Sequence, residues 1–546
     1  MQEFLKSIYI LITAISVFFT SAFYPATIQP EGENTFSSYL EYPEEVVVSL
    51  EDVGLTAEKL IDRASAELPE YVQSGGYDDI AGVFKSPYYK VRISNREIPV
   101  YASMVFNRAD DTGDIHSFSE VYVEPDSEFS FNIELQGTSV KLHNAIVLPE
   151  YMGVGAECKD GIVRASINKP GIYTFLVNGA QQHYGYTLFV REEIDEDAEI
   201  AEYVEEYGED NVIVLEKGVY EYDYVNFVSQ NNLVIYLREG AYVKANHLYD
   251  IDCAEDENKY FEPDAPQHNT IGLTRYPFLN FHNCNNITLT GRGVIDMTSL
   301  DRRERRGVVF TDCNNINVSG IKIINSPEWS LITYCCRDVS VDEVDILGFR
   351  GNADGFAICN TENAVIDSCF ARTADDEFEV KALGGKMGSN NITFQNCIAW
   401  GGYARCFGIT GEVCKSITNV TFRDSAVIYR DGVWDNDRIG SLVVVAEQCD
   451  GSIDGVLFEN IEIFRDEGRP ILVKVYEEER ENFEIKNVVY RNISYTSYLP
   501  SKIDGNESDT NTVDVKLENI TAAGYPVTKA GIFLEKGKNS NVTFVK

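Results

Sequence analysis

Short segments that begin with asparagine or aspartate recur throughout the second half of this 546-residue chain. Most continue as apolar–polar–apolar, as in Asn315-Ile-Asn-Val and Asn391-Ile-Thr-Phe, and successive segments start between 23 and 36 residues apart. A repeat of this length indicates a solenoid, in which each repeat buries its apolar face against its neighbours. The length of the chain therefore does not by itself give the number of domains.

The pattern inside each repeat predicts the type of solenoid. Apolar residues stand one, three, six and eight positions after the starting residue and alternate with polar ones, which indicates two short strands that meet at a bend. A third stretch has its own apolar pair, such as Phe356 with Ile358 or Phe378 with Val380. Three strands in a coil of roughly 25 residues predict a parallel β-helix, and no helical period near 3.6 is visible.

The twelve cysteines follow the same repeat. Cys369 and Cys397 occupy the inward column that holds Ile321 and Val344 in other repeats, where a thiol behaves as a small apolar side chain. We therefore predict mostly free, buried thiols rather than a disulfide framework.

The sequence divides into three parts. Residues 1–23 are predicted to be a signal peptide, because Lys6 precedes an apolar run, Ile8–Phe19, that is shorter than a membrane span. Residues 24–195 contain irregularly spaced strand-like runs between Gly/Pro/Asp-rich turns, which predict a β-sandwich. Residues 196–546 are predicted to form the β-helix catalytic domain, so the fold class is all-β.

The net charge of −41 narrows the range of partners. An acidic surface repels nucleic acid and anionic membranes, and it weakly disfavours a polyanionic substrate. Together with the signal peptide, this predicts a secreted, extracellular monomer that binds neither nucleic acid nor, after cleavage of the signal peptide, a membrane.

Three carboxylates stand out from the ordinary polar residues of the solenoid. Asp354 lies two residues before Phe356, and Asp375 with Asp376 lies just before Phe378 on the next coil. Alignment of these phenylalanines places Asp354 beside Asp376, about 4.8 Å away on the neighbouring strand. Clustered like charges raise each other's pKa, which allows one carboxyl to act as a general acid and another as a base. The same residues could instead be solvated turn residues or calcium ligands.

The motifs resemble those of known glycoside hydrolases. Asn352-Ala-Asp-Gly followed by Asp375-Asp376 is similar to the Asn-Thr-Asp-Gly…Asp-Asp signature of the polygalacturonase family. The segment that starts at Leu237 and the segment Asp375-Asp376-Glu-Phe-Glu-Val-Lys resemble the dextranase/isopullulanase family, which also carries an N-terminal β-sandwich. The resemblance implies a right-handed parallel β-helix and an inverting hydrolase, with Asp375 as general acid and with Asp354 and Asp376 activating the water.

Departures from the polygalacturonase pattern bear on the substrate. The family's Gly-His-Gly histidine aligns with Cys406, and of its Arg-Ile-Lys only Lys474 remains. Loss of the histidine and the arginine predicts a neutral polysaccharide rather than pectin. The further residues predicted to bind substrate are Lys381, Arg405 and Tyr403, although ion pairs at the surface could equally explain Lys381, Glu379 and Arg405.

No cofactor or metal is predicted, because none of the six histidines falls in a cluster with metal-ligand spacing. The alternatives that stay open are a polygalacturonase-type pectin hydrolase, a calcium-assisted polysaccharide lyase and a non-catalytic glycan-binding β-helix protein.

Overall fold

The molecule consists of an N-terminal β-sandwich followed by a right-handed parallel β-helix, which confirms the predicted fold class. The computed structural model describes residues 36–66, 82–107, 112–179, 183–246, 277–302, 304–401, 404–430, 437–447, 451–476, 482–506 and 510–545. The predicted signal peptide and Tyr403 lie outside these residues. In the part of the chain that is described, no helix is long and apolar enough to cross a membrane.

Twelve strands precede the solenoid. They are β1 (Ser38–Tyr39), β2 (Phe84–Lys85), β3 (Tyr89–Ile93), β4 (Arg96–Ile98), β5 (Tyr101–Asn107), β6 (Thr112–Val123), β7 (Phe131–Gly137), β8 (Ala145–Leu148), β9 (Ala156–Lys159), β10 (Ile162–Ile167), β11 (Gly171–Val177) and β12 (Tyr186–Glu192). One sheet has the order β2-β5-β6-β12-β11-β8 with β1 paired to β6, and the other has the order β4-β3-β7-β10-β9. Buried and exposed side chains alternate along β3 and β10, so that their inner faces pack into the core between the two sheets.

Two helices flank these sheets in sequence: α1 (Ala57–Ala66) and α2 (Glu196–Tyr207), with short 3-10 turns at Glu150–Met152 and Glu209–Asn211. Helix α2 forms within the acidic stretch that leads into the solenoid. Its N-cap Asp195 accepts a hydrogen bond from the Ala198 amide, and three acidic residues occupy its first turn, where they complement the helix dipole.

The solenoid contains two long sheets. Twenty strands form the first sheet: β13 (Val212–Leu215), β14 (Gly218–Tyr222), β16 (Asn231–Leu237), β17 (Ala241–Ala245), β19 (Asn285–Gly291), β20 (Val294–Asp296), β22 (Asn314–Ser319), β23 (Lys322–Ile324), β25 (Arg337–Asp342), β26 (Asp345–Leu347), β28 (Glu362–Asp367), β29 (Phe370–Arg372), β31 (Ser389–Gln395), β32 (Ile398–Ala399), β34 (Ser416–Val427), β36 (Ser452–Asp466), β38 (Glu484–Ser497), β40 (Thr512–Ala522), β41 (Tyr525–Pro526) and β43 (Ser540–Val545). Eleven strands form the second sheet, called here the groove sheet: β15 (Val225–Val228), β18 (Pro277–His282), β21 (Arg306–Thr311), β24 (Leu331–Tyr334), β27 (Phe356–Cys359), β30 (Phe378–Ala382), β33 (Phe407–Val413), β35 (Leu442–Ala446), β37 (Ile471–Val475), β39 (Ser501–Asp504) and β42 (Leu534–Lys536).

The starting asparagines of the repeats stack into a ladder at one turn of the solenoid. Asn286, Asn315, Asn363 and Asn391 have positive φ angles, a conformation that asparagine tolerates better than most residues. The side-chain amide of Asn391 donates to Asn363 at 2.8 Å, and that of Asn315 donates to Asn286 at 2.6 Å. These asparagines therefore serve the turn, as the repeat pattern suggested.

Inside the solenoid, identical side chains stack from coil to coil. The rings of Phe356, Phe378 and Phe407 lie parallel with centroids 4.9 and 4.8 Å apart, because the three strands pair in register. Each such pair contributes about 0.5–1.5 kcal/mol beyond the burial of apolar area. The stack fixes the register of the strands that carry the polar residues outside.

Among the described residues, nine cysteines are free, and all of these but Cys158 are buried. Cys369 and Cys397 lie in the core, as their column predicted, whereas Cys414 is disulfide-bonded.

The sandwich packs against the row of short strands that includes β26 and β29. Phe118 and Phe189 of the sandwich share a core with Phe370 and Trp400 of the solenoid. Behind them, Glu120, Arg191, Lys322 and Asp345 form a buried ion-pair network that joins the two domains. The turn after β29 is thus supported from both domains.

Candidate active site

The three predicted carboxylates come together at the edge of the groove sheet. Phe356 pairs with Phe378, and the Gly355 amide donates to the Asp376 carbonyl at 2.7 Å, so Asp354 and Asp376 lie on adjacent strands in the register predicted from the sequence. Only glycine fits at 355, since a Cβ atom there would lie 2.4 Å from the Glu377 carbonyl oxygen. The Asp-Gly motif is therefore required by the close approach of the two chains.

Asp375 is the most open of the three. It is half-buried, and its carboxyl accepts hydrogen bonds from the Asn352 and Asp376 amides, each at 3.1 Å. Burial and the neighbouring charge of Asp376 raise the pKa of Asp375 to about 6, although Lys381 and Arg405 oppose the shift. A carboxyl with this pKa holds a proton in mildly acidic solution and can donate it into the groove.

Asp376 is held by an arginine. Arg405 donates from Nη1 to Asp376 Oδ2 at 3.0 Å and from Nη2 to Glu447 at 2.7 Å, and its Nε donates to the Arg438 carbonyl at 2.8 Å. The guanidinium places a positive charge beside Asp376 and fixes its orientation. Arg405 thus directs its donors to protein groups and acts here as a positioning residue, while substrate binding by Arg405 stays a prediction.

Asp354 faces a lysine shared by several carboxylates. The Nζ of Lys381 lies 3.6 Å from Asp354, 3.0 Å from Glu379 and 3.4 Å from Glu412, and it lies 4.2 Å from the centre of the Trp329 ring. Burial, Glu379 and Asp375 raise the pKa of Asp354 well above its usual value, against the effect of Lys381. Lys381 is buried and serves as the counter-ion of the carboxyl cluster, so substrate binding by this lysine also stays a prediction.

Glu379 is the residue that the sequence analysis undervalued. Its side chain is fully buried, so the interpretation of the Glu379–Lys381 pair as a surface ion pair is wrong. Two charged residues that alternate with Phe378 and Val380 in a short buried strand were the available signal. Arg306 was also missed; its guanidinium is buried and lies 4.0 Å from the centre of the Trp329 ring.

The carboxyl oxygens of Asp354, Asp376 and Glu379 lie close enough to chelate a metal ion, one atom of each within 4.8 Å of the others. The ammonium of Lys381 already lies beside two of the three. The cluster therefore carries its own cations, Lys381 and Arg405, and we do not interpret these carboxyls as metal ligands.

Lys474 lies apart from the carboxylates, three strands further along the groove sheet. Its Nζ lies 3.5 Å from Asp437, which also contacts Lys502 at 2.8 Å and Arg469 at 3.6 Å. Arg438 lies beside them, 3.7 Å from the centre of the Tyr476 ring. We call Arg438, Arg469, Lys474 and Lys502 the basic cluster; its ion-pair partners are Asp437, Asp504 and Glu535.

Fold and site together define a right-handed β-helix protein that holds a buried carboxylate cluster on the groove sheet and, three strands further along, the basic cluster. Comparison with known proteins agrees with this class: residues 291–532 match the model of Glycosyl hydrolases family 28. The resemblance to β-helix glycoside hydrolases of the polygalacturonase type is therefore confirmed.

Individual relatives are distant. A polygalacturonase from Cryptomeria japonica is 25% identical over 290 residues, which is 48% of this chain and 53% of that protein. Among solved structures, an exopolygalacturonase from Thermotoga maritima is 16% identical with a TM-score of 0.45 and covers 63% of this chain and 87% of that chain. Dex49A from Penicillium minioluteum is 12% identical with a TM-score of 0.49 and covers 85% and 95%, respectively. The chain spans about half the length of the curated relatives it matches.

Proposed function

We propose that this protein is an extracellular glycoside hydrolase that cleaves the O-glycosidic bonds of a polysaccharide with inversion of configuration. The observation that carries the proposal is the pairing of two unlike carboxyls at one edge of the groove. Asp375 is half-exposed with a pKa of about 6, whereas Asp376 is buried and accepts a hydrogen bond from the Arg405 guanidinium. An acid and a base in such proximity are what hydrolysis of a glycosidic bond requires.

In the proposed mechanism, Asp375 donates its proton to the leaving oxygen as the bond to the anomeric carbon breaks. Asp376, assisted by Asp354, removes a proton from a water molecule whose oxygen attacks the same carbon from the opposite face. Asp375 loses one proton and the base gains one, and exchange with solvent restores both. Both roles rest on the resemblance to polygalacturonases and on the distinct environments of the two residues.

For the substrate we infer a uronate-containing glycan such as polygalacturonate, contrary to the neutral glycan expected from the sequence. That expectation depended on the absence of the family's histidine and arginine. In the structure Cys406 lies in the core, and Arg405 reaches the carboxyl cluster instead. The basic cluster supplies further cations, which suit carboxylate recognition, and the curated relatives are named polygalacturonases or exopolygalacturonases.

The test compares the wild type with Asp375→Asn on polygalacturonate and on a panel of neutral glucans. We expect the wild type to release reducing ends from polygalacturonate, with the inverted anomer appearing first by proton NMR. The variant should be slower by about 10²–10⁴-fold, the usual contribution of a general acid. Release from neutral glucans alone would contradict the substrate, and an unsaturated product would indicate a lyase. Binding without any release would indicate a glycan-binding protein.

A further inference from the structure

Glu379 occupies an unusual position on strand β30. Its neighbours in register on the adjacent strands are Ala357 and Gly408, which leave room beside its side chain. One carboxyl oxygen, Oε2, accepts hydrogen bonds from the Thr410 hydroxyl at 2.5 Å and from Lys381 at 3.0 Å. The other oxygen, Oε1, is buried and has no hydrogen-bond partner.

Two further carboxyl oxygens share this condition. Oδ1 of Asp354 and Oδ1 of Asp376 are also buried without a donor, and Asp354, Asp376 and Glu379 each place one oxygen within 4.8 Å of the other two. Three adjacent acceptors cannot all stay anionic without a donor between them, because an unpaired buried charge costs several kcal/mol. A proton inside the cluster removes this conflict.

We propose that Glu379 is a fourth carboxyl of the reaction centre and holds a proton that it shares with Asp354 and Asp376. This proposal rests on the proposed hydrolase function. With Oε2 occupied by two donors, the proton resides on Oε1, the oxygen that has no donor of its own. One proton lowers the negative charge of the cluster, whose cations Lys381 and Arg405 are also paired with Glu412 and Glu447. Glu379 is thus a positioning residue that keeps Asp354 and Asp376 together without mutual repulsion.

The surroundings of Glu379 agree with a protonated carboxyl. The pKa of Glu379 is raised to about 8. Burial is the largest cause, Lys381 opposes the shift, and Asp376 and Glu412 add to it. The titratable and charged groups that face Glu379 from the surrounding strands and turns are Asp354, Cys359, Asp376, Lys381, Glu412 and Arg306. At neutral pH the side chain therefore holds its proton, and it loses that proton in mildly alkaline solution.

The first test uses stability, which does not depend on knowing the substrate. A carboxyl whose pKa is raised by folding stabilises the protein fully below its unfolded pKa and loses that contribution as the pH rises through its folded pKa. The melting temperature of Glu379→Gln should therefore rise relative to that of wild type, by about 2–4 °C, as the pH is raised from 5 to 8. The control is Glu362→Gln, since Glu362 forms an exposed ion pair with Arg337. Its melting temperature should change with pH in the same way as that of wild type. A Glu379→Gln curve parallel to wild type would overturn the shared proton.

The second test uses activity. Glutamine presents a permanent N–H donor in place of the shared proton, so the loss of kcat at pH 5 should be at least about 10-fold smaller for Glu379→Gln than for Glu379→Met. Glu379→Met removes the donor and should lose about 10²-fold in kcat with little change in KM. Equal losses in the two variants would contradict the proposal. A second contradicting outcome would be a lower melting temperature of the wild type in the presence of a chelator that calcium restores. A cation rather than a proton would then occupy the cluster. An inactive wild type would refute the hydrolase, while the stability curves would still decide on the proton.

Discussion

Among the described residues, the interdomain ion-pair network and the carboxyl cluster of the groove sheet are both buried, and they are built in opposite ways. In the interdomain network every carboxylate oxygen of Glu120 and Asp345 has a donor, from Tyr122, Lys322 or Arg191. In the reaction centre, by contrast, Asp354, Asp376 and Glu379 each keep one buried oxygen without a partner. Burial is the same in both, so the difference lies in whether the polar groups are satisfied.

Protonation differs between Glu120 and Glu379, although burial also raises the pKa of Asp345, the second carboxylate of the interdomain network, against the effect of Arg191 and Lys322. Burial alone would raise the pKa of Glu120, but Lys322 and Arg191 lower it to about 2, so this carboxylate is charged at all ordinary pH values. The pKa of Glu379 is instead raised to about 8. A cluster whose carboxylate oxygens all have donors joins two domains. A cluster with unpartnered oxygens holds protons that a reaction can use.

The sharpest test of the comparison applies the same substitution to both clusters. Lys322→Met leaves Glu120 and Asp345 buried and uncompensated, and should reduce the free energy of unfolding by about 3–5 kcal/mol. Lys381→Met should cost less than half of this at pH 5, because Glu379 already holds a proton and Asp354 can take one up there, while activity is lost. Denaturant unfolding of both variants measures the difference. Equal destabilisation would show that the two clusters do not differ in this way.

The pH dependence of stability is the next largest effect. The raised pKa values of Glu379 and Asp375 contribute stability at low pH that is lost as the pH rises from about 4 to 8. The lowered pKa of Glu120 contributes stability above about pH 4.5 that is lost as the pH falls toward 2. The melting temperature should therefore be highest near pH 4–5 and lower by a few degrees at pH 8, as measured by calorimetry. A maximum at pH 8 would contradict the assignment.

The smallest predicted effect concerns the basic cluster. Lys474→Ala should raise KM for polygalacturonate by about 10-fold with kcat nearly unchanged, because a carboxylate contact made equally in ground and transition states affects binding alone. Steady-state kinetics on polygalacturonate and on any neutral glycan that is cleaved would measure it. A loss of the same size on the neutral glycan would argue against carboxylate recognition by Lys474.

Much of the site followed from periodicity. The Phe356–Phe378 alignment gave the correct register, and with it the neighbourhood of Asp354 and Asp376. The substrate class that we propose was not predicted from the sequence, because alignment with the family's Gly-His-Gly motif placed Cys406 in the groove. Side chains alternate along a strand, and at this position the groove is reached by Arg405 rather than Cys406.

The sequence by itself determined the solenoid, its asparagine ladder, the preceding sandwich and the pair of aspartates, since all of these depend on local spacing and on the two-residue period of strands. Tertiary structure alone decided which charges are neutralised. Glu120 and Lys322 are 202 residues apart, and Arg405 and Glu447 are 42 apart, yet each pair is in contact. A pKa depends on burial and on the few charges nearby in space, and spacing along the chain records neither.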